Sequence, residues 1–158
     1  MYETHNDIPK EARQRVIELM NSRLADAIDL KTQTKQAHWN VKGPSFIALH
    51  ELFDQIASSV EEYGDLIAER VVQLGGRAAG TARIVAQRSS LEEYPGEISE
   101  GSEHVEALSN ALARFGKECR QAIDSSSELG DADAADIFTE ISRGIDKYLW
   151  FVEAHGQP

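Results

Sequence analysis

Four long stretches of this chain repeat apolar residues every three or four positions, and one of the three links between them is too long to be a turn. The first runs from about Pro9 through Val16, Ile17, Met20, Leu24, Ile28 and Leu30 toward His38. It should end near Asn40, because Val41-Lys42-Gly43-Pro44 reads as a turn. Pro44 can open the second, whose apolar set Phe46, Leu49, Phe53, Ile56, Val60, Ile67, Val71 and Leu74 runs to a stop at Gly75-Gly76. Residues 77–100 then form a connection containing Gly80, Pro95 and Gly96, with Leu91-Glu92-Glu93-Tyr94 as the candidate short helix inside it. Ser102, backed by Glu103 and Glu106, is the expected cap of the third stretch, which carries Val105, Leu108, Leu112, Phe115 and Ile123. Gly130-Asp131 separates it from the fourth, with Ile137, Ile141, Ile145, Tyr148, Leu149 and Val152 on its apolar face. No strand-like alternation is present. The pattern predicts an all-α four-helix bundle with a long crossover between helices two and three.

With 158 residues, 41% of them apolar and only 4 prolines, the chain fits a single domain over 1–158, with short tails at 1–8 and 154–158. Its net charge of -11 argues against binding a polyanion over the general surface, and neither end carries a basic arm. No apolar run approaches membrane-spanning length, and the N-terminus lacks the basic-then-apolar order of a secretory signal. Cys119 is the only cysteine, so no intrachain disulfide can form, and a cytoplasmic location is the expectation.

Within this frame, His38, His50, Asp54, Asp65 and Glu69 fall inside a span of 32 residues. Residues four apart share a helix face, so His50/Asp54 and Asp65/Glu69 are each a ready two-ligand clip. Yet 15 residues separate His50 from Asp65, roughly 22 Å at about 1.5 Å per residue, so one helix cannot close both clips on one ion. Either the chain holds two half-sites, or a second subunit completes each. His38 and His50 lie equally far from the turn near Pro44, so an antiparallel hairpin brings them level; helix rotation decides whether they face each other.

The pairs His50/Glu69 and Asp54/Asp65 share one midpoint, between Ser59 and Val60. Two copies of this helix crossing antiparallel about a two-fold axis at that point would bring each clip onto its complement and create two identical sites. Ala57, Ser58 and Ser59 are small enough to let two helices approach there. Taken singly, an acidic pair four apart or a lone histidine is as readily a solvated or packing residue. The set of imidazoles and carboxylates suits iron, manganese or zinc, and its lack of thiolates argues against Cu(I). The same ligands would also hold a static zinc ion without turnover.

The run from His38 through Phe46, with His50-Glu51-Leu52-Phe53-Asp54 and Asp65 through Gly76, resembles the Dps family of ferritin-like proteins. The likeness extends through Asp131 to Glu153, including Ala135-Asp136-Ile137 and Asp146 to Phe151. It implies a hollow homo-dodecamer that binds Fe(II), oxidises it with hydrogen peroxide in preference to oxygen, and stores ferric mineral. By the same resemblance His38, His50 and Asp54 of one chain, with Asp65 and Glu69 of its two-fold partner, form a ferroxidase centre able to hold two iron ions. Trp39 matches the family's site-proximal tryptophan, although core packing explains it as well. Glu128, Asp131 and Asp136 match the region of an acidic iron-entry pore; a helix cap equally explains Asp131. Glu51 and Glu62 are candidates for mineral nucleation or simply a solvated face. Many members bind DNA through a lysine-rich terminus. This chain has none, so little or no DNA binding is expected, against the alternative of a nucleoid-binding protein in which ferroxidation is secondary. His5, His104 and His155 carry no motif.

Overall fold

The computed structural model describes residues 1–158 and is all-helical: α1 Lys10–Asn40, α2 Phe46–Gln73, α3 Ala82–Arg88, α4 Gly101–Glu128 and α5 Ala132–Glu153. The four long helices form the bundle, with α1 against α2 and α4 against α5 as the two closely packed pairs. The crossover between α2 and α4 carries the short α3. One continuous core fills the bundle, and Phe53, Phe115 and Phe138 are its largest inaccessible side chains. Phe53 sets the rotation of α2, since burying it turns the neighbouring Asp54 outward. Truncating so large a buried ring to alanine costs about 3–5 kcal/mol.

Both glycine stops behave as the sequence requires. Gly75 follows α2 at φ +86° and Gly130 follows α4 at φ +81°, a left-handed conformation that only glycine adopts without strain. In each, the next two amides return to carbonyls of the last turn, as in Gly75 N–H to Val72 O at 2.9 Å and Gly76 N–H to Val71 O at 2.9 Å. The N-terminal tail is tied to the first of these stops. Tyr2 N–H donates to Gly75 O at 2.7 Å, and the Arg13 guanidinium donates to Leu74 O at 2.9 Å.

Two expected features differ. The short helix lies at Ala82–Arg88, and Leu91 to Tyr94 is not helical. Side chains of α1 account for this: Asp26 accepts from Ser90 N–H at 2.6 Å, Asp29 from Ser89 Oγ at 2.6 Å, and Gln33 donates to Glu92 O at 2.9 Å. Backbone groups held this way hold the segment against α1 rather than in a helix of its own. The cap of α4 is Glu100 rather than Ser102, which falls inside the first turn; Glu100 N–H donates back to Glu103 Oε2 at 3.1 Å. His104, without a motif in the sequence, is buried and bonded to the Tyr94 hydroxyl at 2.5 Å, pinning the crossover to α4. Burial holds its pKa below the ordinary histidine value.

Candidate metal centre

His38 stands in the last turn of α1, where the final carbonyls have no partner within the helix, and His50 stands early in α2. The turn between them brings their rings into a stack, with centroids 3.8 Å apart and planes inclined by 20°. His38 Nδ1–H donates to the backbone oxygen of His50 at 2.7 Å, and His50 Nδ1–H donates to that of His38 at 2.8 Å. A carbonyl can only accept, so both Nδ1 atoms carry their proton. Both Nε2 lone pairs are therefore left for an ion.

Asp54 lies one turn beyond His50, and the two residues line one open depression with His38, Glu51 and Ser58. The Lys35 ammonium donates to Asp54 Oδ1 at 2.6 Å, and this contact holds the Asp54 carboxyl below the usual carboxylate range. Lys35 also sits 5.7 Å from the centre of the Trp39 ring. Sequence reasoning did not single out Lys35. Its signal was there, three residues before His38 and so on the same face of α1.

Asp65 and Glu69 are exposed on the same helix, about three turns beyond Asp54. Nowhere in the single chain do three or more His, Cys, Asp or Glu side chains converge as a metal site. The five residues thus divide into two groups: His50 and Asp54 of α2 with His38 of α1 beside them, and Asp65 and Glu69 farther along the same face of α2. Ile47 and Val72, 60% and 56% exposed, flank this row and share its midpoint between Ser59 and Val60. Of the small residues at that midpoint only Ser58 faces out. Ala57 is buried in the bundle, contrary to expectation, and the Ser59 hydroxyl is bonded to that of Tyr148 at 2.6 Å.

The sequence profile of the ferritin-like domain matches residues 17–157. A DNA protection during starvation protein of Agrobacterium fabrum is 49% identical over 156 residues, 99% of this chain and 96% of that one. The chain belongs to the Dps family of ferritin-like proteins. Its fold is also that of solved Dps structures. The Mycobacterium smegmatis Dps in its tetragonal form has a TM-score of 0.92 at 29% identity, covering 97% of this chain and 93% of that one. Dps from Microbacterium arborescens in the high iron form has a TM-score of 0.87 at 30% identity, covering 96% and 97%.

Other residues suggested by the Dps resemblance are placed unevenly. Trp39 is 67% exposed, which removes core packing as its explanation within the subunit. Glu51, Glu62, Glu128 and Asp136 are all exposed. Asp131 is not. Its carboxylate has no accessible surface, accepts from Ala134 N–H at 3.0 Å as the cap of α5, and receives Arg70 Nη2–H at 2.6 Å and Nε–H at 3.3 Å. Assembly can only bury surface further, so the expectation that Asp131 lines a pore is replaced by a structural role. No helix is long and apolar enough to cross a membrane.

Proposed function

We propose that this Dps-family protein is an iron-storing ferroxidase, with Fe(II) and hydrogen peroxide as its substrates. The observation that carries this reading is the reciprocally bonded histidine pair beside Asp54, matched about one midpoint by the Asp65/Glu69 clip. Two copies of α2 docked antiparallel would bring His38, His50 and Asp54 of one subunit to Asp65 and Glu69 of the other. Six such pairs in a hollow dodecamer would enclose a compartment for ferric mineral. That the Microbacterium arborescens structure is of a high iron form is consistent with iron as the cargo.

The chemistry follows from the donor set. Neutral imidazole nitrogens bind ferrous ion, while carboxylates stabilise the greater charge of the ferric product. Two Fe(II) ions held together each lose one electron. The pair of electrons breaks the O–O bond of peroxide, and two protons complete two waters. Two-electron reduction avoids the hydroxyl radical that a single ferrous ion would release, so storage and protection are one reaction. Glu128 and Asp136, both exposed, serve as carboxylates that draw Fe(II) inward, and Glu51 and Glu62 as acids where mineral begins. With a net charge of -11 and an N-terminal tail tied to Gly75, tight DNA binding at physiological salt is not part of this reading.

The test is to add Fe(II) anaerobically to the purified oligomer, then peroxide, and compare wild type with Asp65→Ala. Rapid oxidation with a soluble ferric core in wild type, lost in the variant, is the expected result. Equal rates in both would remove the site assignment, and native mass would test the dodecamer.

A further inference from the structure

We propose that Lys35 serves the proposed metal site as its counter-cation, neutralising Asp54 until an ion displaces it. This rests on the inter-subunit site proposed above.

The outer row of α2 carries Glu51, Asp54, Glu61, Glu62, Asp65 and Glu69, all exposed. The helix's one basic residue, Arg70, is buried against Asp131 and cannot compensate them. Compensation comes from α1, which reaches across with two lysines a turn apart: Lys31 to Glu61 at 2.5 Å and Lys35 to Asp54 at 2.6 Å. Only Lys35 contacts a residue of the proposed ligand set. When two subunits dock, Asp54 meets the Asp65 and Glu69 clip of the other, and three carboxylates share a partly dehydrated space. Without a cation that arrangement is repulsive. The Lys35 ammonium supplies one positive charge at the right atom.

The contact is also built to exchange. Within the subunit its two side chains retain 27% and 54% of their accessible surface, so neither is locked by the packing of its own chain. An exposed lysine–carboxylate pair is weak compared with a divalent ion binding the same oxygen. A displaced Lys35 side chain has room, because with Thr32, Gln36 and Trp39 it lines an open hollow beside the site. Lys35 is a positioning residue for charge, not a group that touches the reacting atoms of peroxide.

Two consequences separate this role from a packing role. Removing the charge should strengthen metal binding, because the ion no longer competes with an ammonium. It should also weaken the metal-free assembly, because the opposed acids lose their neutraliser. The experiment titrates Zn(II), as a redox-inert probe, into the EDTA-stripped and desalted oligomers of wild type, Lys35→Met, Lys35→Arg and His38→Ala by calorimetry, with native mass on each sample before and after zinc. Expected are zinc affinity about three- to tenfold higher for Lys35→Met, near wild type for Lys35→Arg and lost in His38→Ala, with more dissociated subunit in metal-free Lys35→Met that zinc restores. Unchanged or weaker zinc affinity in an intact Lys35→Met oligomer would overturn the proposal. So would failure of that variant to assemble with zinc present, since packing would then explain it. If wild type and His38→Ala take up zinc equally, the inter-subunit site itself fails, and the role of Lys35 with it.

Discussion

Two aspartates at opposite corners of the bundle are each paired with a cation and have opposite fates. Asp131 meets Arg70 where α2 packs near the start of α5, and neither side chain is more than 7% exposed. Asp54 meets Lys35 on the outer face of the α1/α2 hairpin, and both remain open to solvent. The first pair is bidentate and also caps a helix, so both carboxylate oxygens are engaged within the subunit. The second uses one oxygen and a flexible lysine. The lesson is that burial and the cation's geometry, rather than the presence of an ion pair, decide whether a carboxylate is committed to the fold or available to a ligand.

The largest expected effect comes from breaking the committed pair. Asp131→Ala leaves the Arg70 guanidinium buried without its carboxylate, and equilibrium urea unfolding should register a loss of about 3–5 kcal/mol. A loss within the range of surface substitutions would erase the distinction between the corners. Next comes the entry route. If exposed carboxylates alone can guide Fe(II), a Glu128→Gln/Asp136→Asn double variant should slow iron uptake by up to about tenfold at low ionic strength, with little change in urea midpoint and less effect at high salt. Stopped-flow measurement of uptake at two salt concentrations would show it; a rate insensitive to both changes would place entry elsewhere. The smallest effect belongs to the open pair. Asp54→Ala in metal-free protein should change stability by less than about 1 kcal/mol. Because the folded Asp54 carboxyl sits below its unfolded value of about 3.9, the pair's contribution is present above that pH and lost as pH falls through the folded value. The stability gap between wild type and Lys35→Met should therefore close on acidification, and a gap that widened would give the wrong sign.

The same contrast explains what the sequence discloses. Helix extents, both glycine stops and the level placement of His38 and His50 follow from periodicity and turn chemistry, which act over a few residues. The clips at His50/Asp54 and Asp65/Glu69 are legible for the same reason. Asp131 was ambiguous because its decisive partner, Arg70, is 61 residues away, and a helix cap and an acidic pore predict the same residue type. Leu91 to Tyr94 has the composition of a short helix, but Asp26, Asp29 and Gln33 on α1 hold that segment and its flanks, and only the fold brings them there. Ala57 was misplaced by rotation alone, since small size says nothing about which way a residue faces.

The crossed bonds of His38 and His50 carry one more consequence. Because each ring is fastened to the other residue's carbonyl, the separation of the two imidazoles is a property of the turn at residues 41–45 and exists before any ion arrives. The hairpin acts as a gauge. In the proposed site, ions would therefore meet two imidazoles whose spacing is set in advance by the hairpin turn and not by the ions themselves.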